Sequence, residues 1–144
     1  MVNISDIEKA IKLALRIHSG QIDKAGAPYI LHPLRVMLSM VNDTERQVAV
    51  LHDVMEDGEI TPEILRAEGF SDEVCSAVAL LTKMPGDSYE EYLNRLEGNP
   101  IARSVKIADL KDNMNPDRIK EPTQTDIERM EKYRKAMEFL KEKI

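Results

Sequence analysis

Ionisable side chains are concentrated in one short segment, HDVMED at residues 52–57. His52 falls on the apolar stripe of a predicted helix, and Asp53 is its neighbour. Glu56 and Asp57 follow one turn later, close enough to share a site with them. Buried carboxylates and imidazolium groups are costly unless compensated, and a metal cation is one form of compensation. A solvated acidic face with a hydrogen-bonded core histidine explains the same pattern, so this segment alone leaves both interpretations open.

A second acidic position favours the metal. Asp109 interrupts a run of apolar and small residues that begins at Val105, and Asn113 follows one turn later. Imidazole and carboxylate ligands without thiolate suit Mn²⁺, Fe²⁺, Co²⁺ or Zn²⁺, and water activated by such an ion supports hydrolysis. The alternative for Asp109 is an ion pair with Lys106 or Lys111.

The other two histidines differ in context. His32 comes directly before Pro33, so it stands at the mouth of a predicted helix, where it serves either as a ligand or as a structural residue. His18 ends the apolar stripe of the first predicted helix, and we interpret it as a core histidine.

The composition limits the class of protein. The 144 residues correspond to one ordinary domain, and we expect residues 1–144 to form it. Because 20 Lys and Arg face 26 Asp and Glu, the net charge is −6, which argues against binding a nucleic acid polymer. The single cysteine, Cys75, excludes an internal disulfide framework and indicates a reducing compartment.

Hydropathy gives no sign of a membrane protein. The N-terminal residues are polar and predict no signal peptide, and no apolar run approaches the ~20 residues of a membrane helix. We therefore expect a cytoplasmic protein with no membrane partner. The sequence leaves monomer and homo-oligomer both open.

Helix signals recur along the chain, and strand-length alternation is missing, so we predict an all-α bundle of about eight helices. Capping residues and prolines mark the helix starts, which lie at Ser5, Pro33, Thr44, Thr61, Ser71, Ser88, Asn99 and Thr125. The predicted second helix buries Leu34, Met37, Leu38 and Val41. The third ends at Gly58 and buries Val48, Leu51, His52 and Met55. The last buries Ile127, Met130, Met137, Leu140 and Ile144.

The order of the motifs resembles a known family, the HD-domain hydrolases of the RelA/SpoT type. The matching segments cover roughly residues 5 to 140 and are HSGQ at 18–21, GAPYILHP at 26–33, LHDVMED at 51–57 and KIAD at 106–109 with Asn113. In size the chain is similar to the small single-domain members, which hydrolyse (p)ppGpp, the alarmone of the stringent response. The resemblance implies a compact HD-domain hydrolase without the synthetase or regulatory domains of the long members.

The resemblance also implies roles for individual residues. The family's ligands for one divalent ion, usually Mn²⁺, match His32, His52, Asp53 and Asp109. Its catalytic pair, which positions or deprotonates the attacking water, matches Glu56 and Asp57. Positions that contact the nucleotide substrate match Lys24, Asn113, Arg129 and Tyr133. A rim position on the core stripe is the alternative for Tyr133.

One departure from the family concerns the substrate. Asp23 stands where the family commonly has an arginine that contributes to recognition of guanine. The leading hypothesis is a (p)ppGpp 3′-pyrophosphohydrolase that releases pyrophosphate and GDP or GTP. Asp23 favours a second hypothesis, an HD-type phosphohydrolase that acts on another nucleotide or phosphate ester. A nucleotide-binding regulatory module without turnover is the third.

Overall fold

The structure is a computed structural model that describes residues 4–56 and 59–144. Within these ranges the chain forms eight α-helices and one short 3₁₀ helix, and the bridge between Ile22 and Pro28 is the single β pairing. This confirms the all-α prediction. The helices are α1 (Asp6–His18), α2 (Leu31–Leu38), α3 (Asp43–Leu51), α4 (Pro62–Ala67), α5 (Asp72–Leu80), α6 (Tyr89–Leu96), α7 (Pro100–Asn113) and α8 (Gln124–Lys141), and the 3₁₀ helix is Pro116–Arg118.

Helix α3 is the centre of the bundle. It packs against α1, α2, α5 and α7, and the four residues 48–51 are fully buried. Residues 48–51, with the sequence VAVL, are apolar on every face of this helical turn. Such a turn is stable only with neighbouring helices on every side. The end of α3 therefore lies inside the bundle, beside α7 and the start of α2.

Most predicted helix starts are confirmed. The side chain of Ser5 accepts the backbone N–H of Glu8, and the Glu8 carboxylate reaches back to Ser5, which completes a capping box. Side-chain caps are also present at four further predicted positions, Thr61, Ser71, Ser88 and Asn99. Each satisfies N–H groups that the first helical turn leaves free.

Two features of α2 and α3 differ from the prediction. Asn42, not Thr44, caps α3, because its side-chain oxygen accepts the backbone N–H of Glu45 at 2.8 Å. Helix α2 begins two residues earlier than Pro33, so its buried face carries His32 and Val36 one turn apart. The predicted core positions Leu38 and Val41 are instead 75% and 80% exposed.

The third helix is shorter than predicted. It ends at Leu51, and residues 52–56 continue in turns, so His52 and Met55 do not extend a helical stripe. The His52 ring donates from Nδ1 to the carbonyl of Ala49 at 2.6 Å, and the same carbonyl accepts the backbone N–H of His52 at 3.4 Å. The predicted end at Gly58 lies outside the described residues.

The last helix also starts earlier than predicted. Thr123, not Thr125, caps α8, and Asp126 completes its capping box. The buried face accordingly runs from Asp126 towards Ala136 and Leu140, whereas Ile127 and Ile144 are 52% and 84% exposed. Among the described residues, no helix combines the length and apolar character needed to cross a membrane.

The corrected cap of α8 gives a stability prediction. Replacing Thr123 by Ala removes the oxygen that accepts the Asp126 N–H, and we expect a loss of about 1 kcal/mol in the free energy of unfolding. Urea denaturation followed by circular dichroism measures the loss. The matched control is Thr125→Ala, which we expect to change stability by less than about 0.5 kcal/mol. A larger loss in the control than in Thr123→Ala would contradict the assigned cap.

Candidate metal centre

Two histidines and an aspartate converge where α2, the end of α3 and α7 meet. One ligand atom from each of His32, His52 and Asp109 lies within 4.8 Å of the others, and all three side chains are buried. His32 comes from the first turn of α2, His52 follows the last residue of α3, and Asp109 projects from α7. Three elements distant in sequence are therefore needed to assemble this cluster.

The ring contacts decide which nitrogen of each histidine faces the cluster. His52 uses Nδ1 for the carbonyl of Ala49, and His32 uses Nδ1 for a carboxylate oxygen of Asp112 at 2.6 Å. The Nε2 atoms point inward and lie 2.8 Å (His32) and 3.3 Å (His52) from Oδ1 of Asp109. Both rings thus present the same nitrogen to one carboxylate oxygen.

The arrangement fits a divalent cation. Because His52 donates from Nδ1, its Nε2 in the neutral ring is an unprotonated acceptor. That atom is buried and makes no hydrogen bond to any described residue, while acceptor oxygens of Asp53 and Asp109 lie 3.3 Å away. Facing acceptors repel unless a cation or proton lies between them. Neutral imidazole and carboxylate are the ligands that first-row divalent metals prefer in such sites.

Asp53 adjoins the three convergent side chains. Its Oδ2 lies 3.3 Å from His52 Nε2, and the hydroxyl of Tyr29 donates to the same oxygen. Burial raises the pKa of the Asp53 carboxyl to about 8, and the charges of Asp109 and Glu56 add to the shift. The carboxyl thus lies where a cation would lower the cost of its charge.

The two carboxylate oxygens of Asp109 face different partners, and the ion pair with Lys106 that the sequence left open is present. Its Oδ1 faces the histidines, and its Oδ2 accepts from the ammonium of Lys106 at 2.9 Å. Burial alone would raise the pKa of Asp109, but the charge of Lys106 is the largest of the effects that hold it well below its usual range. The Lys106 side chain, 12% exposed, lies beside the ring of Tyr92, and the charge of Asp109 raises its pKa against the effect of burial. Asp109 therefore stays ionised in the core.

The predicted catalytic pair is only partly described. Glu56 is exposed and, with Asp53 and Tyr29, lines an open cavity of about 330 Å³. Asp57 lies outside the described residues. His18 is buried outside the three-residue cluster, with its ring 5.0 Å from that of Tyr29, and it lines the same cavity.

A second cavity brings together all four residues that the resemblance assigned to the substrate. It has a volume of about 320 Å³ and shares Tyr29 with the first cavity. Asn113 joins it to the metal centre, because its side-chain N–H donates to Oδ1 of Asp109 at 3.2 Å. The members of the predicted set that line this cavity are Lys24, Asn113, Arg129 and Tyr133.

The charge of Asp23 is compensated within that cavity. Its carboxylate accepts the backbone N–H groups of Ala25 and Ala27, which holds the loop, and it lies 3.5 Å from the guanidinium of Arg118. Burial alone would raise the pKa of Asp23, but these N–H groups and Arg118 lower it. Arg118 also lines the cavity, so a guanidinium is present although residue 23 is acidic.

Sequence reasoning missed several residues around the site. Asp112 lies one turn after Asp109 on α7, a spacing that would have suggested a shared face. Asp126 follows Thr123 at capping-box spacing and pairs with Lys24 at 3.0 Å and Arg129 at 3.7 Å. Arg118 gave no signal, because its contacts are set by the path of the chain after α7.

Comparisons with known proteins agree with this architecture. No family model matches the sequence. The chain is 31% identical over 133 residues to a probable GTP pyrophosphokinase of Mycobacterium leprae, covering 83% of this chain and 17% of that protein. It is 32% identical over 124 residues to a guanosine-3′,5′-bis(diphosphate) 3′-pyrophosphohydrolase of Borreliella burgdorferi, covering 75% of this chain and 18% of that protein. The chain thus spans less than a fifth of the length of these curated relatives.

A solved structure shows the same fold. It is described as a metazoan ortholog of SpoT that hydrolyzes ppGpp and plays a role in starvation responses. The TM-score is 0.74 at 22% sequence identity, over 95% of this chain and 85% of that one. The chain therefore shares the helical fold of that structure, and the sequence relatives confirm the predicted resemblance to proteins of the RelA/SpoT type.

Metal binding is directly testable on the thermal stability of the protein. A cation whose free concentration is 100 times its Kd for the folded state stabilises that state by about 2.7 kcal/mol. Mn²⁺ should therefore raise the Tm of the wild-type protein. We expect Asp109→Asn to lose this increment whatever its own Tm. The control Asp72→Asn changes an exposed carboxylate on α5 and should keep the increment. An equal increment in both variants would contradict the assigned site.

The buried carboxylate of Asp126, which pairs with Lys24 and Arg129 of the second cavity, gives a pH prediction. The backbone N–H of Thr123, then Lys24, lower the pKa of Asp126 to about 2. A carboxyl with a lowered folded-state pKa contributes stability above its unfolded pKa, about 4, and loses it as pH falls towards 2. Asp126→Asn should therefore be less stable than the wild-type protein at pH 6, with a gap that closes by about pH 2. Urea midpoints across this range measure the gap, and a constant gap would contradict the assignment.

Proposed function

We propose that this chain is a metal-dependent phosphohydrolase, and that its substrate is (p)ppGpp, from which it removes the 3′-pyrophosphate to leave GDP or GTP. The observation that carries the proposal is the convergence of His32 Nε2 and His52 Nε2 on one carboxylate oxygen of Asp109, next to an open cavity. The names of the relatives cover both synthesis and hydrolysis of such nucleotides. The buried imidazole and carboxylate groups lie beside an open cavity that Asp53 and Glu56 line, and this arrangement supports the hydrolytic activity.

The cation of the proposal is Mn²⁺, held by His32, His52 and Asp109, with Asp53 as a fourth ligand. When bound, it supplies activation of water and stabilisation of negative charge on the phosphate. Asp53 is oriented by the hydroxyl of Tyr29, and Lys106 fixes the remaining oxygen of Asp109. The chain thereby holds its proposed ligands in place before the ion arrives.

Glu56 is our proposed general base, with Asp57 as its partner. Its exposed carboxylate lines the same cavity as Asp53, so a water molecule between the two groups can lose its proton to Glu56. The oxygen of this water forms a bond to the phosphorus attached to the 3′ oxygen, and the bond between that phosphorus and the 3′ oxygen breaks. The 3′ oxygen takes up a proton to become a hydroxyl, so pyrophosphate and GDP or GTP leave as the products.

The second cavity is the proposed nucleotide pocket. Lys24 and Arg129 lie at its rim as cations for phosphate oxygens, and Tyr133 offers an aromatic face to a base. Asn113 links this pocket to Asp109, so a nucleotide held there would present a phosphate towards the metal centre. A cytoplasmic location stays a prediction of the sequence.

A second substrate class is supported by one observation. Asp23 adds a carboxylate to the nucleotide pocket, where it neutralises part of the positive charge of Arg118. A phosphohydrolase for another nucleotide or phosphate ester keeps the metal centre and changes only this pocket. Release of orthophosphate from such a compound, with no pyrophosphate from ppGpp, would favour that class.

The proposal is tested by product analysis with Mn²⁺-loaded protein. We expect pyrophosphate and GDP from ppGpp with the wild-type protein. Glu56→Gln should lose about 10²- to 10⁴-fold in rate and keep most of its metal affinity, whereas Asp53→Asn should lose both. Product chromatography and an Mn²⁺ titration measure the two properties separately.

The controls separate the alternatives. Glu63→Gln, an exposed change on α4, should match the wild-type protein in both measurements. Tight binding of ppGpp without cleavage would instead support the regulatory module. Equal loss of metal in Glu56→Gln and Asp53→Asn would contradict the division between base and ligand.

A further inference from the structure

The ring of His32 is held between two carboxylates. Its Nδ1 lies 2.6 Å from Oδ2 of Asp112, and its Nε2 lies 2.8 Å from Oδ1 of Asp109. The ring is only 2% exposed, so neither nitrogen exchanges its partner for water. A guanidinium nitrogen of Arg118 also lies 3.3 Å from Nδ1, farther away than the Asp112 oxygen. Because ionised carboxylates only accept, and the contact with Asp112 is the shorter of the two, the geometry favours the proton of the neutral ring on Nδ1.

Asp112 is itself fixed by two arginines. Arg35 of α2 donates from Nε to Oδ1 at 2.8 Å and from a terminal nitrogen to Oδ2 at 3.0 Å, which is a bidentate pair. Arg118 donates to Oδ2 at 3.0 Å from beyond the end of α7. The Asp112 side chain is 11% exposed, and these donors leave its carboxylate little freedom to rotate.

We propose that Asp112 is a positioning residue that sets the tautomer and orientation of His32 for the metal centre. By accepting Nδ1–H, Asp112 leaves the Nε2 lone pair free to face a cation, and the negative charge makes that nitrogen a stronger donor to the metal. His52 obtains the same orientation from the neutral carbonyl of Ala49. Only His32 has a charged partner on its outer nitrogen.

The proposal rests on the metal centre described above and adds a role for a residue that the family resemblance does not assign. A competing explanation is that Asp112 only ties α7 to α2 through Arg35. That explanation predicts that breaking the ion pair from either side has the same effect on the metal. The positioning role predicts a much larger effect when the contact with His32 is changed.

The test compares three variants of the full chain in their binding of Mn²⁺ and Co²⁺. Asp112→Asn removes the charge while keeping the shape, Asp112→Ala removes the contact, and Arg35→Gln removes the bidentate partner but leaves Asp112 beside His32. Asp117→Asn changes an exposed acid on the 3₁₀ helix and serves as the matched control. Circular dichroism checks the fold of each, and Asp112→Asn decides the test if Asp112→Ala does not fold.

We expect both Asp112 variants to bind the ions about 10- to 100-fold more weakly and to shift the visible absorption of bound Co²⁺. Arg35→Gln and Asp117→Asn should stay within about threefold of the wild-type protein and keep its spectrum. Equal losses in Asp112→Asn and Arg35→Gln, or wild-type affinity and spectrum in Asp112→Asn, would overturn the positioning role. Absence of binding by the wild-type protein would instead overturn the metal centre itself, and the positioning role with it.

Discussion

The structure depends on keeping one carboxylate, that of Asp109, ionised in the interior of a helical bundle. A buried charge is tolerated only when partners replace the water it has lost. Lys106 provides one, and the two histidines face the remaining oxygen, with Asn113 as an additional donor. Because Lys106, Asp109 and Asn113 lie on one face of α7, a single helix supplies the carboxylate and two of its partners.

The remaining partners require the rest of the bundle. The second half of α3 has to be buried on all sides so that its end delivers His52 to the interior, and α2 has to begin early enough for His32 to lie in its first turn. Both rings are then oriented through their outer nitrogens, one by a backbone carbonyl and the other by Asp112. The fold thus determines the direction of each lone pair, which no single helix could do.

The sequence predicted most of the helices because their signals are local. A capping residue, a proline at the first turn or a glycine after the last turn acts within a few residues, and five of the eight predicted starts carry the expected side-chain cap. The errors arose where packing overrides the local pattern. Leu38, Val41 and Ile127 have apolar side chains at helical spacing, yet they are 75%, 80% and 52% exposed.

The site was predictable to a similar degree for a different reason. The family resemblance assigned His32, His52 and Asp109 to one site, whereas residue types and spacing alone left a structural role open for each of them. Asp112, Arg118 and Asp126 were not predicted as parts of the site, since their contacts join segments up to 102 residues apart. Such contacts depend on the three-dimensional path of the chain. Asp23 illustrates the point, because only the structure reveals that Arg118 faces it.

The most direct test of the central claim is a crystal structure of the Mn²⁺-soaked protein with anomalous diffraction data. The account predicts one strong anomalous peak among His32 Nε2, His52 Nε2 and Asp109 Oδ1, within coordination distance of all three atoms. An anomalous map with no peak there, with the same three side chains in direct contact, would contradict it.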